Sequence, residues 1–172
     1  MMAILLGMAI GGMFATALRA GAVVIVGSIV FQVKYVIGGL PELLAVFFLA
    51  MTALYGMGMM LSSAFLLLGR EAWHLSNLAQ EPIFLLSGFY FPIKSFNFWV
   101  AVGASLIPLT LGLDAMRQLV FPAGAALGFL SVQVEIGVLV VLCIVFLAAS
   151  RVLLARMEKL AIQEGRLTES RR

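Results

Sequence analysis

Apolar stretches long enough to cross a lipid bilayer dominate this chain, and short polar breaks separate them. A membrane-spanning helix needs about 20 mostly apolar residues. Arg19 is the only charged residue before Lys34, so the first stretch exceeds the thickness of a bilayer and its start is expected to lie along or beyond one face. The pattern predicts four spanning helices, within residues 1–33, 43–69, 75–91 and 134–154.

The segment 92–122 is apolar but broken. It contains three prolines, and its uncharged stretch 95–113 ends just before Asp114. A broken apolar segment at membrane depth is usually buried in protein or lines a cavity. We therefore expect a re-entrant helical hairpin that enters the membrane and returns to the same side. A fifth full span over 95–113 is the alternative.

Composition supports a membrane as the solvent of this chain. Of its 172 residues, 63% are hydrophobic and 11% are charged, whereas soluble domains carry about 25% charged residues. We therefore expect an all-α, polytopic helical membrane protein in a lipid bilayer. The basic residues do not form a patch of the kind that binds nucleic acid. Cys143 is the only cysteine, and no Cys and His cluster indicates a metal site.

Basic residues are concentrated near the C-terminal end. Six of the eleven Lys and Arg residues lie at or after Arg151, and short segments rich in Lys and Arg stay on the cytoplasmic side of a membrane. We therefore predict that both termini are cytoplasmic. Residues 1–155 are expected to form the transmembrane domain, and 156–172 a cytoplasmic tail.

Three segments carry the most specific motifs. Residues 87–93 read Ser-Gly-Phe-Tyr-Phe-Pro-Ile, and residues 108–118 read Pro-Leu-Thr-Leu-Gly-Leu-Asp-Ala-Met-Arg-Gln. Residues 56–62 read Gly-Met-Gly-Met-Met-Leu-Ser, in which Gly56 and Gly58 favour close helix packing. In this order and spacing the segments resemble the membrane subunit of ATP-binding-cassette (ABC) exporters, the type-2 permease family. The resemblance covers nearly the whole chain.

The resemblance implies the last four spans of a six-span fold, so we expect an N-terminally truncated or split permease. It implies two permease copies, as a homodimer or heterodimer, around an export pathway in the plasma membrane. Two separate ABC ATPase subunits would bind ATP with Mg²⁺. This chain would bind no cofactor and would not be an enzyme. It contains no Gly-x-x-x-x-Gly-Lys-Ser/Thr phosphate loop.

Charged residues near the third predicted span are candidates for coupling and transport. For Arg70 and Glu71 the resemblance favours contact with the ATPase, and a charged helix end is the alternative. Glu81 lies beside Pro82 within the predicted span, where ionisable groups usually face a cavity or the bundle interior. It is a candidate for the pathway or the dimer seam. A carboxyl group that water reaches near the interface is the alternative.

The segment 87–92 is expected to form the bend into the hairpin, because glycine permits a close approach and proline ends a helix. Its aromatic residues are candidates for an outer gate above the pathway. The segment consists of Ser87, Gly88, Phe89, Tyr90, Phe91 and Pro92.

Asp114 and Arg117 are spaced i, i+3, so they can pair on one face of a helix. We predict that this pair is structural and ties the end of the hairpin to the outer face of the protein.

A second function stays open, namely a small helical membrane scaffold or assembly protein, or an inactive permease fragment, that transports nothing. The absence of the first two spans of the family favours it, whereas the ordered motifs favour the exporter. No residue identifies the exported substrate, although the apolar hairpin favours an amphipathic or lipid-like cargo.

Overall fold

A computed structural model of the chain describes residues 2–32, 35, 39–68 and 72–163. Every regular element within these ranges is helical, so the all-α prediction is confirmed. A short 3₁₀ turn, Ile93–Ser95, precedes the fourth α-helix. The α-helices are α1 (Met2–Phe31), α2 (Leu40–Leu68), α3 (Ala72–Leu86), α4 (Phe98–Ala104), α5 (Pro108–Val120), α6 (Gly124–Leu127) and α7 (Val132–Gln163).

Three of the described helices are long and apolar enough to cross a membrane. They contain the spans Ile10–Phe31, Leu40–Ser62 and Val132–Arg156. These segments correspond to the first, second and fourth predicted spans and support a membrane-embedded protein. The third predicted span corresponds to α3, which has 15 residues and is shorter than the about 20 that a straight span requires. That span stays a prediction.

The core forms where α5 packs against both α2 and α7. Pro108 occupies the first turn of α5, where its missing N–H costs no helical hydrogen bond. The helix ends at Val120, and the backbone of its C-cap residue, Phe121, is extended because Pro122 follows it. All three helices contribute buried side chains, namely Val46, Ala50, Leu111, Ala115, Leu139 and Leu142.

Small residues allow these three helices to approach one another closely. A Cβ atom built on Gly112 of α5 would lie 2.6 Å from Cβ of Ala50 in α2. A Cβ atom on Gly56 would lie 3.3 Å from the backbone nitrogen of Leu147 in α7. The packing role predicted for Gly56 is therefore confirmed. No described atom lies within 4 Å of a Cβ atom built on Gly58, so the same role for Gly58 stays a prediction.

α4 and α5 form a sharply bent pair. Their axes differ by 105° across a short break, where the Ser105 hydroxyl donates to the carbonyl of Ala101 at 2.8 Å. The two ends of the pair lie close together. Lys94, just before α4, donates from Nζ to the carbonyl of Ala126, beyond α5, at 2.8 Å.

A second contact joins the same two ends of the bent pair. The ring of Phe98, the first residue of α4, lies 6.3 Å between centroids from the ring of Phe129. The start of α4 and the segment beyond α5 therefore lie close together.

Gly112→Ala tests the contact between α5 and α2. The added methyl group overlaps Ala50 unless the helices separate, and overpacking of this kind costs about 1–3 kcal/mol. We expect a lower midpoint of thermal unfolding, measured by circular dichroism of the purified protein in detergent.

Gly58→Ala is the matched control, because it adds the same methyl group to α2 where no atom lies within 4 Å. It should leave the midpoint unchanged or raise it. Equal midpoints for the two variants would contradict the packing of α5 on α2.

Candidate functional site

Arg117 anchors the turn that follows α3. Its Nη2 atom donates to the carbonyl of Gly88 at 2.9 Å. Gly88 has φ = 75°, a left-handed conformation that ends helices and favours glycine. A Cβ atom there would also lie 2.9 Å from Cγ1 of Ile93. Ser87, which is fully buried, donates its hydroxyl to the carbonyl of Phe84 at 3.0 Å and completes the end of α3. The bend predicted at residues 87–92 is present.

The aromatic residues of this turn face outward. Phe89, Tyr90 and Phe91 are each more than half exposed. Phe89 packs against Phe84 and Tyr90, with ring centroids 5.6 and 5.2 Å away. Trp99, on the neighbouring α4, is also exposed. Aromatic side chains of this kind gather at the interface between lipid and water, so the turn has the surface of an interfacial belt.

A groove of about 530 Å³ lies between α1 and α2, away from the aromatic turn. Its lining is mostly apolar and contains methionines of both helices, with Tyr55 and Ser62 as polar members. Among the described residues, none of those predicted for a site lines this groove. Its composition is that of a lipid-facing or helix-packing surface rather than a site with converging charged groups.

A cluster of polar side chains lies at the junction of α5 and α7, and we call it the polar cluster. It consists of Asp114, Gln118 and Glu135. Asp114 accepts at Oδ2 from the backbone N–H of Phe129 at 2.8 Å. The two N–H groups of Gln118 Nε2 are shared among three acceptors, namely the carbonyl of Leu130 at 2.9 Å, Glu135 Oε2 at 3.3 Å and Asp114 Oδ2 at 3.4 Å. One amide therefore links both carboxyl groups and the loop before α7.

The polar cluster is buried, yet part of its hydrogen-bonding capacity is unused. Asp114 is 1% exposed and Glu135 is 0% exposed. Asp114 Oδ1 and Glu135 Oε1 have no hydrogen-bond partner, and neither has the hydroxyl of Thr110, one helical turn before Asp114. Buried polar atoms without partners are costly, and ionisable groups inside a membrane usually mark functional sites. This cluster is the strongest candidate site among the described residues.

Two glycines shape the chain around the polar cluster. A Cβ atom on Gly128 would collide with the side-chain amide of Gln118, its Oε1 atom lying 2.7 Å away. A Cβ atom on Gly124 would collide with the carbonyl oxygen of Arg117 and would lie 2.7 Å from the Cα atom of Gln118. The segment between α5 and α7 can therefore fold closely over the end of α5 only because both positions lack side chains.

The structure brings together only some of the residues predicted from sequence. Asp114 and Arg117 bond to Phe129 and Gly88 respectively, rather than to each other. The predicted i, i+3 pair is replaced by two separate tertiary contacts, because each side chain finds a backbone partner on a different loop. Both contacts still connect the end of α5 to neighbouring loops, one to the loop before α7 and one to the turn after α3.

The other charged residues predicted from sequence are Arg70, Glu71 and Glu81. Arg70 and Glu71 lie outside the described residues. Glu81 is exposed on α3, beside Pro82. Sequence reasoning missed Gln118 and Glu135 as site residues. The sequence does contain a signal for Glu135, because it is an acid in the first turn of the last apolar span. A charged group inside a membrane requires a partner.

No family model, no curated protein and no solved structure matches this chain. The resemblance to the type-2 permeases therefore depends on the motifs of the sequence.

Arg117→Met tests whether Arg117 holds the turn at residues 87–96. The substitution keeps an apolar side chain of similar length but removes the donor to Gly88. A hydrogen bond from a charged donor contributes about 1.5–3 kcal/mol, so amide exchange in this turn should accelerate by roughly 10- to 100-fold. Hydrogen–deuterium exchange with mass spectrometry measures the change.

Arg151→Met is the control, because Arg151 is exposed on α7 and its loss removes the same charge. It should leave exchange in the turn unchanged. Unaltered exchange in Arg117→Met would show that the contact with Gly88 does not hold the turn.

Proposed function

We propose that this chain is a membrane-spanning permease subunit of an ABC exporter, and that the pair of α4 and α5 is its re-entrant hairpin. The hydrogen bond from Lys94 to Ala126 carries this proposal, because it joins the two ends of the bent pair. A broken span would place those ends on opposite faces, about 30 Å apart. The order of elements agrees with the family's motifs, since the hairpin directly precedes the last span.

Helix lengths support the hairpin. α4 has 7 residues and α5 has 13, which at 1.5 Å per residue correspond to about 10 and 20 Å. Neither helix crosses a bilayer alone. α5 is buried between two long helices, so its backbone and polar side chains are shielded from lipid, as irregular structure at membrane depth requires.

The same geometry supports a return crossing by α3. α2 has 29 residues, or about 43 Å, so its two ends lie on opposite faces of the bundle. Only three residues separate the end of α2 from the start of α3. Yet Gly88, just after α3, is bonded to Arg117 at the end of the bundle where α2 begins. α3 therefore serves as the third of four spans, despite its length, with 87–91 completing the crossing.

If the basic C-terminal tail lies in the cytoplasm, the direction in which each helix crosses the cell (plasma) membrane follows. α7 then starts on the outer side, and the polar cluster, the hairpin and the aromatic turn all lie there. Phe89, Tyr90 and Phe91 would form an outer gate at the end of the export pathway. The N-terminus and residues 70–71 lie on the cytoplasmic side, where the ATPase docks.

Transport requires partners in this proposal. A second permease copy, the same or different, completes the pathway, and ABC ATPase subunits supply the energy of ATP hydrolysis. Arg70 and Glu71 form the ATPase contact of this chain, which itself binds neither ATP nor Mg²⁺. The cargo is amphipathic or lipid-like, in keeping with an apolar hairpin at the outer end.

A membrane scaffold or assembly protein is the second candidate, and the surface of α1 favours it. Apolar side chains are exposed on successive turns of this helix, among them Val23, Ile25, Val26, Ile29 and Phe31. A helix of this kind can bind another membrane helix without any transport. The exporter candidate requires that an ATPase binds this chain and that its rate of ATP hydrolysis changes on binding. The scaffold candidate requires neither.

Co-expression with its candidate ABC ATPase tests the exporter proposal. We expect the two proteins to co-purify in detergent, and the ATPase rate of the complex in nanodiscs to differ from that of the ATPase alone. Changing Arg70 and Glu71 together to alanine should weaken co-purification, while Arg151→Ala, which leaves the docking loop intact, should not.

Two results would contradict the exporter proposal. One is the absence of a complex although the chain is folded in the membrane. The other is a complex whose ATPase rate equals that of the free ATPase, which would favour the scaffold.

A further inference from the structure

We propose that Asp114 and Glu135 together bind one proton, and that the resulting carboxylic acid–carboxylate pair joins α5 to α7 inside the membrane. We call these two residues the carboxyl pair. The inference goes beyond transport, and it does not depend on the chain being an exporter subunit.

The side-chain amide of Gln118 brings the two carboxyl groups together. Its Nε2 atom lies 3.4 Å from Asp114 Oδ2 and 3.3 Å from Glu135 Oε2. A carboxylate only accepts hydrogen bonds, so a bond between two carboxyl groups requires a proton on one of them. Each group also has one buried oxygen that no donor reaches, and the proton supplies the missing donor.

Burial makes the doubly charged state unfavourable. Both residues are at least 99% buried, and two like charges that contact the same amide nitrogen repel strongly where water is excluded. The first turn of α7 favours a negative charge at Glu135, but a helix end offers only about half an elementary charge. A single negative charge on the carboxyl pair benefits from the helix end and avoids the repulsion between two buried charges. Two negative charges would not avoid that repulsion.

Hydrogen bonds indicate which residue holds the proton. Asp114 accepts the shorter bond, from the backbone N–H of Phe129 at 2.8 Å. Glu135 is reached by Gln118 at the longer distance of 3.3 Å. Strong donors stabilise a carboxylate, so Asp114 is the charged member and Glu135 the protonated one, donating toward Asp114.

A proton fits the site better than a metal ion. Calcium takes about six to eight oxygen ligands and magnesium about six. The carboxyl pair and Thr110 offer three oxygens without a partner, and no third acidic, His or Cys side chain among the described residues joins them. Gln118 also directs N–H groups into the site, where a cation would be repelled.

Few other titratable groups can compete for the site. Arg117, on α5, donates from Nη2 to the carbonyl of Gly88, and its Nη1 atom is buried without a hydrogen-bond partner. α2 packs Val46 and Ala50 against α5, and its acid, Glu42, is exposed. Cys143 lies two turns further along α7 and is buried. The loop between α5 and α7 contributes backbone groups, namely the N–H of Phe129 to Asp114 and the carbonyl of Leu130 to Gln118.

Infrared spectroscopy of the full chain in lipid nanodiscs tests the proposal. Asp114 is the only aspartate in the sequence, so ¹³C at the aspartate side-chain carboxyl reports one residue. At neutral pH we expect one carboxylic-acid C=O band per chain that shifts with ¹³C-labelled glutamate. Labelled aspartate should show a carboxylate band.

Substitutions assign the band. Glu135→Gln should abolish it, because the amide preserves the shape and the hydrogen bonding without a titratable proton. Asp114→Asn should shift its frequency, because the acceptor changes. Glu42→Gln, at the exposed acid of α2, should leave it unchanged. If a variant fails to fold, the isotope shifts in the unmodified sequence still decide between acid and carboxylate.

Three results would overturn the proposal. One is a spectrum at neutral pH that contains carboxylate bands only. Another is an acid band that survives unchanged in Glu135→Gln. The third is a thermal unfolding midpoint that rises with Na⁺ or Ca²⁺, relative to choline, in the unmodified chain but not in Glu135→Gln, since that result identifies a metal cation as the ligand.

Discussion

Lipid offers no hydrogen bonds, and this constraint decides where the polar groups of the bundle can lie. α5 is the helix most affected, because it carries Thr110, Asp114, Arg117 and Gln118 within three turns. It is packed between α2 and α7, which contribute apolar side chains to the shared core, and Glu135 of α7 contacts it at Gln118. The long helices therefore enclose a short helix that carries four polar side chains, and the loops at that end of the bundle are bonded to it.

Close packing makes this arrangement possible. In a membrane, van der Waals contact between small residues replaces much of the hydrophobic driving force that joins helices in water. Gly112 against Ala50 and Gly56 against Leu147 provide such contacts on two faces of α2. Gly124 and Gly128 then let the chain close over the end of α5, which brings the loop carbonyl and N–H groups to Gln118 and Asp114.

Much of the fold is predictable from sequence, because length and apolarity alone identify α1, α2 and α7. The bend at Gly88 was also predictable, because glycine readily adopts a left-handed conformation and Pro92, four residues later, prevents the helix from continuing. The partners of the polar side chains were not. Asp114 and Arg117 are three residues apart and can pair locally, yet each bonds to a backbone group from a distant segment.

Helix periodicity contains no information about such tertiary contacts, so the link from Asp114 through Gln118 to Glu135 emerges only once α7 is placed beside α5. Arg70 and Glu71, the predicted ATPase contact, lie outside the described residues and stay a prediction.

The central claim is that the chain enters and leaves the bent pair at one face of the membrane. Single cysteines at Lys94 and Ala126, in a Cys143→Ala background and in sealed membrane vesicles, test it directly with a membrane-impermeant maleimide. Arg156→Cys, near the C-terminal tail, reports the opposite face. We predict that positions 94 and 126 react from the same side, and that position 156 reacts only from the other. Reaction of positions 94 and 126 from opposite sides would show that α4 and α5 form a crossing span, and would contradict the account.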